Sequence, residues 1–220
     1  MTGRPGGRPL QQLLSRACDI KPEETRATLA SFLLVLVLMG SYYILRPVRD
    51  AMASDWTDAE VSWLWTFTFV FSAIAVSLYG GAVTRIRFRR LVPAVYSFFA
   101  ASFLLFYLGT QTLADRTLLD KSFYVWISLF SLFHISVFWS FMADTFSKPQ
   151  ATRLFGFIGA GASIGAIGGP AFAALLVGDM GTDPLLLVAS VLVVATLPVI
   201  TWIQRLKLTD LDNAGVAADI

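Results

Sequence analysis

The chain has 220 residues, 56% of them hydrophobic and only 15% charged, and its 17 Lys and Arg against 15 Asp and Glu give a formal net charge of +2. A soluble domain carries about 25% charge, so the composition excludes an ordinary water-soluble enzyme and indicates a polytopic membrane protein. The basic residues interrupt apolar runs instead of gathering on one surface, which gives nucleic acid no support as a partner. The single cysteine, Cys18, allows neither a disulfide framework nor a cysteine-based metal site.

Residues 1–27 read as a polar cytoplasmic tail. Six uncharged runs follow, at 29–45, 61–83, 91–108, 123–142, 154–177 and 185–202. Each is about 17 to 24 residues long, the length of a spanning helix, and none alternates as the strands of a membrane barrel would. The first run followed by Ala51-Met52-Ala53 imitates a signal peptide. Three charged residues separate the run from that site and five more spans follow, so the first span is expected to stay in the mature protein. The expected domains are therefore the tail 1–27, a six-helix transmembrane domain 28–205, and residues 206–220 as the start of a cytoplasmic linker or tail.

Basic residues in the connections set the orientation. With the N-terminus inside, the inner segments hold Arg4, Arg8, Arg16, Lys21 and Arg26, then Arg85, Arg87, Arg89 and Arg90, then Lys148 and Arg153, then Arg205 and Lys207. The outer segments hold only Arg46, Arg49, Arg116 and Lys121. Both termini are thus expected in the cytoplasm. Six spans with both ends inside make half of a twelve-span secondary transporter.

The first span ends in Tyr42-Tyr43-Ile44-Leu45-Arg46-Pro47-Val48-Arg49-Asp50. At about 100° per residue, Tyr42, Arg46 and Arg49 share roughly a 60° sector, and Asp50 sits one turn beyond Arg46. Pro47 is expected to kink or end the helix beside the two guanidinium groups, which offers an anion fixed charge and loosened backbone. The plainer reading of these residues is a set of interface anchors. Arg46 follows Arg26 by about 20 residues, or roughly 30 Å of helix, so it can lie at the outer surface and steer or gate instead of binding at the midplane.

The fourth span carries His134, the titratable side chain nearest the middle of a span, either a proton-coupling residue or an imidazole hydrogen-bonded to a neighbouring helix. Asp144 and Arg153 bracket the next inner loop and are expected to form an ion pair or gate. In the fifth span Gly161, Gly165 and Gly169 recur at helical spacing and make a smooth face for close packing or a flexing contact. Gly168, Gly169 and Pro170 are expected to bend that helix. No lysine of a phosphate loop and no third glycine of a dinucleotide fingerprint accompanies them, and no cofactor or metal is expected.

Gly156, Gly165, Gly169 and Pro170 resemble an antiporter motif of the major facilitator superfamily, with Ala173 and Ala174 in place of its closing glycine pair. The loop 84–90 after Gly80-Gly81 looks like a degraded form of that family's loop between spans two and three, without its aspartate and glycine. A closer resemblance lies in 42–50, and in Phe138-Trp139-Ser140-Phe141-Met142-Ala143-Asp144 followed by 150–156. These segments resemble the ATP/ADP translocase (nucleotide exchange) family of bacteria and plastids, over the first half of a family member. The resemblance implies an all-α, multi-pass protein of the bacterial inner membrane. It also implies exchange of nucleotides or other phosphorylated anions, ATP and ADP among them, by alternating access. Arg46 and Arg49 would attract phosphates, with Tyr42 and Tyr43 against the cargo. Asp50, Asp144, Arg153, Gly165, Gly169 and Pro170 would gate. The partners expected are the lipid bilayer, an anionic small molecule, and a C-terminal half or second copy. The alternatives are a facilitator-type antiporter of an unrelated solute and, in a different class, a non-transporting membrane scaffold or partner subunit.

Overall fold

A computed structural model describes residues 20–211. It holds six helices: α1 (Thr25–Ala53), α2 (Asp58–Arg85), α3 (Phe88–Thr112), α4 (Thr117–Thr145), α5 (Lys148–Met180) and α6 (Pro184–Leu206), the last running into a π-helical turn, Lys207–Leu211. All six are long and apolar enough to cross a membrane, and no strand occurs among the described residues. The expected all-α half of a twelve-helix architecture is what forms. Local chemistry marks the boundaries. Thr57 and Glu60 start α2 with a reciprocal capping box, and Ser147 and Gln150 do the same for α5. Gly181 stops α5 at φ 75°, a left-handed conformation that favours glycine, and Pro184 opens α6.

Of the two outcomes expected at Pro47, a kink or an end, the end is absent. α1 continues through Pro47 to Ala53, and α5 continues through Gly168, Gly169 and Pro170 to Met180. One proline deletes a single hydrogen bond, a loss that neighbouring helices can offset inside a membrane. With 29 residues α1 is about 43 Å long, more than the hydrocarbon thickness of about 30 Å. That length lets its last turns, with Arg46, Arg49 and Asp50, stand beyond an apolar layer of that thickness as continuous helix.

α1 is the central helix and packs on α4, α5 and α6, while α3 packs on α6 and α2 leans on α4. Leu34, Val35, Leu38, Leu45 and Val48 of α1 are fully buried. Against α5 the approach is backbone to backbone. A Cβ added at Gly161 would stand 2.6 Å from the Phe32 carbonyl oxygen, and one at Gly165 would strike the Leu36 carbonyl. Lipid is as apolar as leucine, so membrane helices associate through such close contact and not through a hydrophobic drive. The glycine face expected at a moving interface is thus occupied by α1 within the bundle. α2 is the opposite case: only Leu64 is buried, and Trp63, Phe67, Phe69 and Phe71 face outward.

Connectivity places the starts of α1, α3 and α5 and the ends of α2, α4 and α6 on one face of the bundle, here the first face. The expected pairing of Asp144 with Arg153 does not occur there. Arg153 meets Glu24 at 2.8 Å, and Asp144 meets Lys207 at 3.1 Å. The reason is reach: α5 starts beside α1, whereas the end of α6 comes down beside α4. On the second face Arg116 meets Asp183, and Lys121 meets Glu60, each at 2.7 Å.

Glu24 is only 2% exposed. Burial pushes its carboxyl up, but hydrogen bonds from Arg153 and the Lys21 amide, with the Arg153 charge, outweigh that and hold it below the usual glutamate value. A carboxyl depressed on folding contributes stability that is complete above its unfolded pKa of about 4.5 and is lost as the pH falls through the lower folded value. Glu24→Gln is expected to cost about 2 kcal/mol at pH 7, less than a wholly buried pair because Arg153 is partly exposed. It should also flatten the acid limb of thermal unfolding followed in detergent; an unaltered acid limb would show that the pair does not anchor α1 to α5.

Candidate functional site

The second end of α1 brings the sequence-selected residues together with α4. Tyr42 lies on the His134 ring, with centroids 4.9 Å apart and planes 29° from parallel, and meets Tyr43 edge-on at 5.1 Å. The Arg46 guanidinium sits 5.8 Å from the Tyr43 ring centre, and its Nε is 4.0 Å from Asp50. Arg49 donates to the same carboxylate through Nε at 2.9 Å and Nη2 at 2.6 Å. Two cations therefore share one anion, and Asp50 is itself half exposed.

Arg49 is held from α4. Its guanidinium lies 5.2 Å over the Tyr124 ring, and Nη1 reaches Ser128 Oγ at 3.5 Å. Tyr124 is fixed in turn by α2, whose Trp65 indole donates to the Tyr124 hydroxyl at 2.9 Å. Stacking on an aromatic face suits the weakly hydrated guanidinium and leaves its in-plane donors available. Tyr124 and Ser128 escaped the sequence reading. With Ser131 they recur at spacings of four and seven in the fourth run, one polar stripe that was open to recognition.

His134 is buried between Tyr42 and Phe130, the latter ring 5.0 Å away. Its Nδ1 lies 3.0 Å from the Phe130 carbonyl oxygen and its Nε2 3.2 Å from Met39 Sδ. The carbonyl takes the Nδ1 proton of the neutral ring, so Nε2 turns its lone pair to a thioether that cannot donate. The His134 carbonyl accepts from the Tyr96 hydroxyl at 2.8 Å, tying α3 to the same point.

Gly169 stands directly behind this cluster. A Cβ there would lie 2.8 Å from the Gly40 carbonyl oxygen and 2.9 Å from Tyr43 Cβ. The α5 seam therefore sets the depth of Tyr43 and, one turn on, of Arg46. Pro170 is half-buried beside it. Of the residues selected from the sequence, Tyr42, Tyr43, Arg46, Arg49, Asp50, His134 and Gly169 form one neighbourhood, with Gly165 one turn along the seam. Asp144 and Arg153 lie at the opposite face. Among the described residues no three His, Cys, Asp or Glu side chains gather as a metal site would need.

A family model described as Major Facilitator Superfamily matches residues 31–216. No curated protein matches the chain, and no solved structure does.

Proposed function

The chain belongs to the major facilitator superfamily, a family of membrane transporters, and from that premise we propose that it forms the N-terminal half of a secondary active transporter that exchanges nucleotides or other phosphorylated anions by alternating access. The observation that carries the cargo class is the sharing of Asp50 by Arg46 and Arg49. A carboxylate held by two guanidinium groups occupies the place that a phosphate, with more acceptors and more charge, would compete for. Asp50 then acts as an internal counter-ion: cargo displaces it on binding, and it closes back on the arginines when cargo leaves. Tyr42 and Tyr43 present rings on which a base can stack. The described basic residues of the first face, Lys21, Arg26, Arg85, Arg87, Arg89, Arg90, Lys148, Arg153, Arg205 and Lys207, outnumber Arg46, Arg49, Arg116 and Lys121 of the second. That asymmetry supports a first face in the cytoplasm of a bacterial inner membrane.

A C-terminal half or a second copy would close the pathway against the outward faces of α2 and α5. Exchange of labelled ATP into proteoliposomes preloaded with ADP, using the full-length protein, tests the reading. Uptake no faster than in protein-free liposomes, with organic anions exchanging instead, would transfer the protein to the facilitator-type antiporters. His134 stands in this scheme as the proton-coupling residue. His134→Gln is expected to slow exchange across about pH 5.5 to 8; transport like that of the parent over that range would leave His134 a packing residue.

A further inference from the structure

The first face carries a second anion-seeking feature, far from Arg46 and Arg49. Arg85 ends α2, Arg87 lies in the connection, Arg89 and Arg90 open α3, and Arg205 lies near the end of α6. All five are exposed, and none of their guanidinium groups meets a carboxylate or other side-chain partner among the described residues. The two chain segments are joined, since Gln204 Nε2 donates to the Arg89 carbonyl at 2.9 Å. Asp144, the carboxylate beside them, is already engaged by Lys207.

Between the start of α3 and the ends of α4 and α6 lies a cavity of about 250 Å³, with Phe88, Phe141 and Leu208 as its apolar lining and Arg89, Gln204, Lys207 and the Lys207-paired carboxylate of Asp144 as its polar one. Next to it Ile86, Trp202 and Leu208 are exposed apolar side chains at the ends of spans. Unpaired guanidinium groups beside a polar recess, flanked by surface suited to hydrocarbon, match a ligand that is anionic at one end and apolar at the other.

We infer that the α2–α3 connection and the end of α6 form a binding site for the phosphodiester headgroup of an anionic phospholipid. Arg87 and Arg89 take the phosphate oxygens, Arg205 adds charge from α6, and the acyl chains lie along Ile86 and Trp202. A bound lipid would brace α3 against α6 at the end where Gln204 donates to the Arg89 carbonyl. A loop that only orients the chain in the membrane needs the charge but no recess and no choice between headgroups.

The purified full-length protein in neutral detergent would be titrated with dioleoylphosphatidylglycerol, dioleoylphosphatidylcholine or inorganic phosphate, reading the thermal unfolding midpoint and the lipid retained in native mass spectrometry. The phosphatidylglycerol should raise the midpoint and stay bound, whereas phosphatidylcholine should do neither. Arg87→Gln with Arg89→Gln should weaken that binding at least tenfold, since each basic residue near an anionic lipid contributes about fivefold. Arg26→Gln with Lys148→Gln, an equal loss of charge on the same face, should change it less than about threefold. The midpoints without added lipid should agree, since all four side chains are exposed. Equal retention of the two lipids would overturn the site, as would equal loss in both double variants. Stabilisation by inorganic phosphate as strong as by phosphatidylglycerol would also overturn it, assigning the patch to a soluble anion.

Discussion

Replacing Arg46 and Arg49 together by Gln is expected to lower nucleotide exchange in proteoliposomes by about 100-fold or more. Hydrogen bonds to charged groups contribute about 1.5–3 kcal/mol each, which is roughly ten- to a hundredfold per lost interaction. The two arginines differ in a way that single variants should resolve. Arg49 is 18% exposed, stacked on Tyr124 and bonded to Ser128, whereas Arg46 is 49% exposed and rests only on Tyr43 and the long contact to Asp50. Arg49→Lys keeps the charge but loses the fork and the stacked plane, so it should remain impaired, while Arg46→Lys should recover most of the activity. Exchange at the parent rate in the double Gln variant would remove the phosphate-binding role and, with it, the reason for preferring nucleotides.

The second large effect is structural. Gly165→Ala adds one methyl group, and that carbon would collide with the Leu36 carbonyl and come within 3.0 Å of the Gly40 amide nitrogen and Met39 Cβ. Backbone cannot swing aside as a side-chain tip can, so α1 and α5 must separate. Overpacking of this kind costs about 1–3 kcal/mol and more when backbone has to move, here about 3 kcal/mol or a fall of roughly 10 °C in unfolding midpoint. Gly168→Ala, on the outward side of the same helix with no atom within 4 Å, should be neutral or slightly stabilising. Equal midpoints for the two variants would mean that α1 and α5 are not held at backbone contact. Because Gly169 fixes Tyr43, the same separation should also displace Arg46, so Gly169→Ala should reduce exchange more than it reduces stability.

Six helices were legible because charge is absent from each run, a constraint that the bilayer imposes on sequence directly. Their true lengths were less so. α1 extends from Thr25 to Ala53, beyond the uncharged run at both ends, because polar side chains at an interface do not stop a helix whose backbone is already paired. Pro47 suggested an end to α1 for the same reason: local propensity favours one in water, and tertiary contact overrides it in a bundle. The site was half visible. Tyr42, Arg46, Arg49 and Asp50 share a sector of one helix and could be grouped by angle alone, but the hold of Tyr124 and Ser128 on Arg49 depends on how α4 lies across α1. The pairing of Asp144 with Arg153 failed on the same ground, since their partners Lys207 and Glu24 are neighbours only after six helices have assembled.

The ion pairs at the two ends of the bundle link α1 to α5, α4 to the turn after α6, α2 to α4, and the link before α4 to the link before α6. Each joins parts of one body, so none has to break if that body tilts as a unit. A cycle built on tilting would leave these bonds as ballast, neither storing nor releasing work. The strokes would have to be driven at surfaces the bundle leaves bare, the outer sides of α2 and α5, where a counterpart could trade one set of contacts for another.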